Sequence, residues 1–314
     1  MPVSATAFAP ASIGNVAVGF DMLGLALAGV GDRVTARRTD QAGIGIREVR
    51  GLDGEIHPYL STDAAQNTAS IAAKALWDRH GSGGIELVIR KGVPLQSGMG
   101  SSAASAVAGA VAANALLDEP LPLQDLLPFA LAGEIFASGG RHADNVAPSL
   151  LGGLVYCPEV LYPRMIPVKP LDGICSVLLH PEMQINTAAA RRKLAKGYTR
   201  EQWLEQQGYL GGFLLACERG DPELLRQCLR DVLIEPQRAG SVPCFIDVRD
   251  AAMAADALGC SLSGSGPSIF ALCLEKQAAR IATVMEQACR KHGYECQSWV
   301  SPMDAPGAAV ESVQ

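Results

Sequence analysis

The sequence is poor in aromatic residues and has no excess of basic charge. Only 5% of its 314 residues are Phe, Tyr or Trp, and its formal net charge is -6. Nucleic acids and anionic membranes are bound by basic surfaces, so neither is an expected partner. Low-complexity linkers and internal repeats are also missing, and 48% of the residues are apolar. This composition excludes a disordered chain and predicts a compact enzyme of mixed helices and strands.

Paired cysteines and a secretion signal are missing too. The nine cysteines lie between Cys157 and Cys296 without any C-x-x-C pair, which argues against a zinc knuckle and a disulfide framework. The N-terminus MPVSATAFAP has no Lys or Arg before its apolar stretch, and Asp21 interrupts the next apolar run. We therefore expect a cytoplasmic protein whose N-terminus begins folded structure.

One uncharged run, residues 92–117, is long enough to span a bilayer by length alone. Pro94, Gln96 and several serines interrupt it, and its many Ala and Gly residues are only weakly lipophilic. The run therefore predicts a loop followed by a buried helix.

The chain length predicts two packed lobes, because single domains usually contain roughly 100–200 residues. Residues 5–38 have the glycine-punctuated apolar pattern of strands and turns. Later segments predict a helix at 68–80, a strand at 85–90, helices near 101–117 and 123–137, a largely helical stretch at 201–234, strands around a glycine turn at 261–274, and a final helix at 279–293.

The segment from Val93 to Ala104, VPLQSGMGSSAA, precedes the Ala-rich helix. Gly98 and Gly100 can adopt positive φ and turn backbone N–H groups towards an anion. The adjoining helix adds unpaired N–H groups and the positive end of its dipole. The segment therefore predicts a phosphate-binding loop.

The same loop has other possible interpretations. Ser101 and Ser102 can cap the helix, bind a phosphate oxygen or ligate Mg²⁺. No G-x-x-x-x-G-K-[ST] string occurs, which excludes a Walker-type site. The spacing of Gly98, Gly100 and Ala103 satisfies G-x-G-x-x-A, but residues 94–97 separate the first glycine from the preceding strand. A dinucleotide fold is therefore disfavoured.

Three motifs in order resemble the GHMP kinase superfamily across almost the whole chain. The central one is PLQSGMGSSA at 94–103, in which Met99 replaces a Leu that is common in the family. The first is APASIGNVAVGFDMLG at 9–24, and the third is LSGSGPSIFA at 262–271.

Within that superfamily the substrate-side segments resemble the homoserine kinases most closely. They are GGRHADNVAPSLLGG at 139–153, TAAAR at 187–191 and EPQR at 235–238. Departures from the family pattern are Ala17 in place of Gly, Ala143 in place of Pro and Gly14 in place of Ala, and none removes a polar functional group.

The resemblance implies an α+β, two-lobed GHMP kinase fold with the nucleotide in the cleft between the lobes. We expect an N-terminal α/β lobe over residues 1–153, containing the phosphate loop, and a C-terminal α+β lobe over residues 154–314. The implied reaction is transfer of the terminal phosphoryl group of ATP, with Mg²⁺, to the hydroxyl of L-homoserine. The family also implies a homodimer.

The resemblance also implies three sets of site residues. The nucleotide set is Asn67, Pro94, Leu95, Gln96, Ser97, Gly98, Met99, Gly100, Ser101, Ser102, Ala103 and Ala104. The metal ligands are Ser102 and Glu134, and the catalytic residues are these two and Asn15. The substrate set is Asn15, Asp21, His142, Asn145, Arg191 and Arg238.

The substrate set suits the chemistry of homoserine. Arg191 and Arg238 can clamp a carboxylate, and Asp21 can neutralise an ammonium. Asn15, Asn145 and His142 can orient the hydroxyl. Phosphoryl transfer relies on alignment and charge neutralisation, so we expect direct attack by the substrate hydroxyl without a dedicated base.

Taken alone, most of these residues have ordinary structural interpretations. Arg191 belongs to a basic run typical of a solvated helix face, and Glu134 looks like a common helix acid. Asn67 suits a helix cap, whereas Asp144 suits a turn. Gly264 and Gly266 are expected either near the phosphates or in a structural hairpin.

Two rival functions are compatible with the same motifs. One is a GHMP kinase for another alcohol, such as mevalonate, shikimate or a sugar, to which Asp21 would be of no use. The other is a noncatalytic binding relative, which would have no need of Ser102 and Glu134.

Overall fold

The structure of the protein is a computed structural model that describes residues 2–314. It has eleven strands: β1 (Ser4–Gly14), β2 (Leu23–Thr39), β3 (Gly43–Arg50), β4 (Gly84–Arg90), β5 (Leu154–Tyr156), β6 (Ile166–Val168), β7 (Ile174–Pro181), β8 (Gly259–Leu262), β9 (Ile269–Leu274), β10 (Cys296–Pro302) and β11 (Ala309–Val313).

Ten α-helices accompany the strands within these residues. They are α1 (Thr68–His80), α2 (Ser101–Asn114), α3 (Leu127–Ser138), α4 (Val146–Leu151), α5 (Thr187–Arg192), α6 (Arg200–Arg219), α7 (Pro222–Cys228), α8 (Glu235–Arg238), α9 (Phe245–Ala254) and α10 (Ala278–Lys291).

The larger sheet has seven strands, with β11, β1, β2, β4 and β3 side by side and β5 and β6 extending from β2. Only the β3–β4 pair is parallel. Strands β1 and β2 pair from Ser4 opposite Arg37 to Gly14 opposite Gly24, and their register shifts once, between Pro10 and Ser12. The connection between these two strands, residues 15–22, lies within the first sequence motif.

Helices α1, α2 and α3 form a layer with the predicted Ala-rich helix α2 at its centre. Thirteen of the fourteen residues of α2 are buried. The small side chains of α2 make this possible, because they let the backbones of neighbouring helices approach closely. A Cβ on Gly109 would lie 2.3 Å from the carbonyl oxygen of Ala69 in α1. No helix within residues 2–314 is long and apolar enough to cross a membrane. The prediction of a buried helix is therefore confirmed.

The smaller sheet has four antiparallel strands in the order β10, β7, β9, β8. One core beneath it includes Val177, Phe245 and Ile281, which joins β7 to α9 and α10. A second core contains Leu25 of the larger sheet together with Phe213 and Phe270. Both sheets thus share apolar packing.

Several predicted elements are confirmed with shifted ends. Helix α1 spans the expected 68–80, whereas α2 ends at Asn114 and α3 begins at Leu127 after a 3₁₀ turn. Helix α7 stops at Cys228, and the next residues turn around the Asp231 carboxylate, which accepts three backbone N–H groups. Apolar periodicity therefore extended the predicted helix into residues whose N–H groups bond to the Asp231 side chain instead.

The division of the chain into lobes 1–153 and 154–314 stays a prediction. Three strands that come after residue 153 belong to the larger sheet, namely β5, β6 and β11. The chain thus returns to the larger sheet after forming the smaller one.

Candidate active site

One cavity of about 360 Å³ brings together most of the predicted site residues. Its walls include Asn15, Asp21, Asn67, Leu95, Gln96, Ser97, Gly98, Gly100, Ser101, Ser102, Glu134, His142, Asn145, Arg191 and Arg238. Pro94, Met99, Ala103 and Ala104 are not part of the wall. The last three of these have fully buried side chains, so they support the loop from behind.

The phosphate loop lies between β4 and α2 and depends on its two glycines. Gly98 has φ 75° and Gly100 has φ 67°. A Cβ on Gly100 would lie 2.3 Å from the Ser12 hydroxyl, and one on Gly98 would lie 2.5 Å from the Ser263 carbonyl oxygen. Gly100 also precedes the first turn of α2 without any side-chain cap. The helix N-terminus is thus free to face an anion.

The three motifs meet at this loop. The backbone N–H of Ser12 in β1 donates to the Met99 carbonyl at 3.0 Å. The Ser263 hydroxyl donates to the Gly98 carbonyl at 2.6 Å. The first and third motifs therefore hold the central loop from two sides, and the glycine turn at 263–266 is part of the site rather than a distant hairpin.

Ser101 and Ser102 have different partners, and neither caps the helix. The Ser101 hydroxyl donates to the Val93 carbonyl at 3.0 Å, which braces the loop. The Ser102 hydroxyl points to the cavity and donates to the Glu134 carboxylate at 2.7 Å. Burial raises the pKa of Glu134 to about 7, although the hydrogen bond from Ser102 opposes this shift.

Ser102 and Glu134 together offer oxygen donors of the kind that Mg²⁺ binds. Within residues 2–314 no group of three or more His, Cys, Asp and Glu side chains is arranged to hold a metal ion. Two protein oxygens beside a phosphate loop nevertheless fit Mg²⁺, because this ion usually retains waters and binds phosphate oxygens directly.

A cluster of charged side chains around Asp21 lines the same cavity. The Arg191 guanidinium donates to both Asp21 oxygens at 2.8 and 2.6 Å. His142 Nδ1 lies 3.6 Å from the same carboxylate. Arg238 donates to the Gly264 carbonyl at 2.8 Å, and both guanidiniums lie 5.2 Å from the Phe20 ring centre. The predicted substrate residues thus form one contiguous group.

Three buried nitrogens in this cluster have no hydrogen-bond partner. They are His142 Nε2, Arg191 Nε and Arg238 Nε. Burial lowers the pKa of His142, which favours the neutral imidazole. Because unpaired buried polar atoms are costly, their convergence on one cavity indicates a polar ligand site.

Asn15 lies in a turn whose backbone conformation is unfavourable for residues other than glycine. Asn15, Val16, Ala17 and Asp21 all have positive φ, which costs free energy that the surrounding contacts must offset. Part of that offset is visible in the Asn15 side chain. Its Nδ2 donates to the Gly264 carbonyl at 3.2 Å, and its Oδ1 accepts the Asp21 N–H at 3.1 Å.

Asn145 and Asn67 also have structural partners. Asn145 Oδ1 accepts the Ser12 hydroxyl at 2.9 Å, and its Nδ2 donates to Asp144 at 3.2 Å. Asn67 caps α1 through the Ala69 N–H at 3.0 Å, as expected for a lone Asn before a helix. Both also line the cavity, so the capping and binding interpretations are compatible.

Sequence reasoning assigned several residues of the wall no role in the site, among them Asp144, which it interpreted as a turn residue. Asp144 is buried, and desolvation followed by repulsion from Asp21 raises its pKa to about 7. Thr187 lies 3.1 Å from the Ser265 hydroxyl. Both residues belong to substrate-side segments that the sequence analysis identified, so their positions in those segments could have predicted that they line the site. Lys91 also lines the cavity, but no motif included it.

Family models and known proteins match this chain over most of its length. The family descriptions "GHMP kinases N terminal domain" and "GHMP kinases C terminal" match residues 67–153 and 213–291. A homoserine kinase of Xylella fastidiosa is 45% identical over 308 residues, which covers 98% of this chain and 94% of the relative. The chain belongs to the homoserine kinase family of GHMP kinases. The family resemblance and the two-lobed GHMP kinase fold predicted from the motifs are thereby confirmed.

Two further relatives support the assignment to this GHMP kinase family. A homoserine kinase of Chloroherpeton thalassium is 40% identical over 319 residues, covering 97% of this chain and 98% of the relative. The crystal structure of homoserine kinase from Cytophaga hutchinsonii superposes with a TM-score of 0.93 at 39% identity, covering 99% of this chain and 98% of that one. The predicted residue roles remain predictions.

Proposed function

We propose that this GHMP kinase transfers the terminal phosphoryl group of ATP to the hydroxyl of L-homoserine, forming O-phospho-L-homoserine for threonine biosynthesis. The observation that carries the proposal is the charge arrangement in the cavity. The same cavity is lined by the phosphate loop and by one carboxylate with two guanidiniums. A zwitterion with a hydroxyl suits that arrangement.

The nucleotide phosphates bind at the loop of residues 94–104. Positive-φ glycines allow close backbone approach, and the uncapped first turn of α2 adds N–H donors. Asn67, which caps α1 and lines the cavity, is assigned to the adenine end of the nucleotide in this proposal. The family assignment supports ATP as the donor.

Mg²⁺ is held by Ser102 and Glu134 in this proposal. When bound, the ion neutralises charge on the phosphates. Because the pKa of Glu134 is about 7, a nearby cation favours its ionised form, and metal affinity rises with pH through that range. The Ser102–Glu134 hydrogen bond already holds the two oxygen donors side by side.

Homoserine binds in this proposal by replacing an internal ion pair. Arg191 and Asp21 neutralise each other. The substrate ammonium takes the place of Arg191 beside Asp21, while its carboxylate pairs with Arg191 and Arg238. The exchange gives Asp21 and Arg191 each a new partner of opposite charge, which a ligand with only one of the two charges cannot do.

The substrate hydroxyl lies near Asn15 and Asn145 and attacks the phosphoryl group directly. Its proton passes to an oxygen of the transferred group, so no dedicated base is required. Substituting Asn15→Ala should reduce kcat by much more than a few-fold in a protein that remains folded by circular dichroism. A change in kcat of no more than a few-fold would exclude this role for Asn15.

The deciding experiment measures ADP release from Mg-ATP with L-homoserine, mevalonate, shikimate and galactose, together with a control lacking an acceptor. Turnover of homoserine alone supports both reaction and substrate. Turnover of another alcohol would retain the phosphate site but overturn the acceptor assignment. ATP binding without any turnover would favour a noncatalytic binding protein.

We further propose a homodimer in the cytoplasm. The dimer rests on the family resemblance alone, and light scattering coupled to size exclusion tests it. The location is supported by nine free cysteines, eight of them buried, which suits a reducing compartment. Fractionation of source cells with an antibody to the protein would test the location.

A further inference from the structure

A buried ion pair lies beneath the phosphate loop. Asp32 is in β2, and Lys91 comes directly after β4. Their side chains are 0% and 5% exposed, and the Lys91 ammonium donates to the Asp32 carboxylate. Burying two charges is costly, so such a pair is retained only with extensive additional hydrogen bonding.

The Lys91 ammonium uses all its donors within the protein. Besides Asp32, it donates to the Ser101 carbonyl at 3.0 Å and to the Ser105 hydroxyl at 2.7 Å. An ammonium has three N–H groups and no acceptor. Lys91 therefore lines the cavity without a free N–H group for a ligand. Its ammonium contacts the first turn of α2 through the Ser101 carbonyl.

The Asp32 carboxylate binds the chain on both sides of the loop. One oxygen accepts the N–H groups of Gly92 and Val93 at 2.8 and 3.1 Å. The other accepts the Ser105 hydroxyl at 2.6 Å. Residues 92 and 93 lead into the loop, whereas Ser105 is in the second turn of α2. Asp32 thus connects the entry of the loop to the helix at its exit.

We propose that Asp32, Lys91 and Ser105 form a positioning network that fixes the phosphate loop in its anion-binding conformation. The network sets the separation between Val93 and the first turn of α2, which determines where the loop N–H groups point. Lys91 is a positioning residue in this network and not a phosphate ligand. The inference rests on the proposed function only in assigning phosphates to the loop.

Ser105 offers the sharpest test, because its side chain is buried and bonded to both members of the pair. The variant Ser105→Ala is compared with Ser149→Ala. Ser149 is another fully buried serine, and its hydroxyl donates to the Pro10 carbonyl at 2.7 Å. Binding of ADP and of adenosine is measured by calorimetry without an acceptor, and the melting temperature is measured in parallel.

Ser105→Ala is expected to weaken ADP binding roughly five-fold or more while adenosine affinity stays within about two-fold, because only the phosphates contact the loop. Ser149→Ala is expected to lower the melting temperature without changing the preference for ADP over adenosine. Ser105→Cys retains a weak donor and should lie between Ser105→Ala and the unmodified protein.

Three outcomes would overturn the proposal. If Ser105→Ala binds ADP normally whereas Lys91→Met does not, Lys91 is a direct phosphate ligand. If Ser105→Ala weakens ADP and adenosine equally, the network has only a general structural role. If Ser105→Cys and Ser149→Ala change ADP preference as much as Ser105→Ala, the effect is not specific to the network. If the unmodified protein does not prefer ADP to adenosine, the proposed function itself fails. This outcome differs from the three above because it is seen without any substitution.

Discussion

Asp21 and Arg191 illustrate how a single ion pair can prepare a site for a zwitterion. The pair is bidentate and only about one-quarter to one-third exposed. Its members lie 170 positions apart in the chain, in the turn between β1 and β2 and in α5. Before substrate binds, each of the two side chains is neutralised by the other. When substrate binds, each exchanges that partner for the oppositely charged group of the substrate.

Substituting Asp21→Asn should reduce discrimination for the substrate ammonium. A hydrogen bond to a charged group contributes about 1.5–3 kcal/mol, so the preference in kcat/KM for L-homoserine over 4-hydroxybutyrate should fall about 10–100-fold. The control is Glu205→Gln, an exposed substitution on α6. An unchanged preference in Asp21→Asn would remove Asp21 from the ammonium site.

His180 predicts an acid sensitivity of the fold. Burial lowers its pKa to about 4 from an ordinary value of 6.5, and Nδ1 lies 3.1 Å from the Ser268 hydroxyl. Between these two pH values the unfolded chain binds a proton that the folded chain does not. The stability contributed by neutral His180 is therefore present above pH 6.5 and is lost as the pH falls towards 4.

The expected loss from His180 alone is about 2 kcal/mol between pH 7.5 and pH 5. The matched variant is His180→Gln. Between pH 7.5 and pH 5, its free energy of unfolding should fall by about 2 kcal/mol less than that of the unmodified protein. Urea denaturation at the two pH values measures both slopes, and other titrating groups cancel in the difference. Parallel slopes would show that His180 is protonated as readily in the folded protein as in the unfolded one.

At the scale of elements, the layer formed by α1, α2 and α3 depends on residues without large side chains. Gly109 allows α2 to approach the Ala69 carbonyl of α1, and Gly133 allows α3 to approach the Thr68 carbonyl. The close approach places the N-terminus of α2 beside α1 and α3, from which Asn67 and Glu134 reach the cavity. Helix packing therefore brings nucleotide and metal residues together.

Two glycine substitutions in helices should have opposite effects. Gly109→Ala should destabilise by about 1–3 kcal/mol despite better helix propensity, since its Cβ would lie 2.3 Å from a backbone oxygen. Gly208→Ala in α6 meets no atom within 4 Å and should stabilise by up to about 1 kcal/mol. Urea denaturation tests both. Stabilisation by Gly109→Ala would mean that the helices can separate at little cost.

The phosphate loop provides a second matched pair. Gly100 and Gly220 have similar left-handed φ values of 67° and 64°. Alanine at either position should cost about 1–2 kcal/mol of stability. Only in Gly100→Ala would the Cβ also meet Ser12 and Asn145, at 2.3 and 2.9 Å, whereas Gly220 has open space.

Steady-state kinetics should therefore show at least a roughly 10-fold higher KM for ATP in Gly100→Ala, because a 1 Å displacement of a binding element is costly. KM for ATP should be unchanged in Gly220→Ala. Equal KM values in the two variants would argue that the loop adjusts to the added methyl group without moving its N–H groups.

At the scale of the whole molecule, the two ends of the chain lie side by side in the larger sheet. Strand β11 pairs with β1, with Ala5 opposite Val313, and the Gln314 N–H donates to the Ser4 carbonyl at 2.9 Å. Strand β1 in turn continues to the turn that carries Asn15 and Asp21. The last residues of the chain therefore cover the edge of the strand that leads into the site.

Deleting residues 309–314 should destabilise the protein by about 2–4 kcal/mol through lost ladder hydrogen bonds, and it should promote association through the exposed edge of β1. Glu311→Ala is the matched control, because it removes only the exposed ion pair with Arg33 at 2.9 Å and should cost at most about 1 kcal/mol. Denaturation and light scattering measure both effects. A deletion as mild as Glu311→Ala would mean that β11 contributes little.

Local patterns in the sequence by themselves predicted several secondary-structure elements, the phosphate loop and the family of this protein. The period of apolar residues located α1 to the residue, and Gly98 with Gly100 indicated a phosphate loop, because helix periodicity and positive φ are properties of adjacent residues. The motif set was specific enough to indicate the family, which the comparisons support. Helix ends show the limit, because apolar periodicity extended α7 past Cys228 into residues whose N–H groups bond to the Asp231 side chain.

Only the tertiary structure decided how distant residues are paired. Asp32 and Lys91 look like ordinary surface charges in the sequence, yet folding buries them together under the phosphate loop. Asp21 and Arg191 were both assigned to substrate, but their mutual ion pair appears only in the fold. The physical reason is that contacts between residues far apart in the chain depend on the packing of whole elements, whereas periodicity and turn geometry report only local conformation.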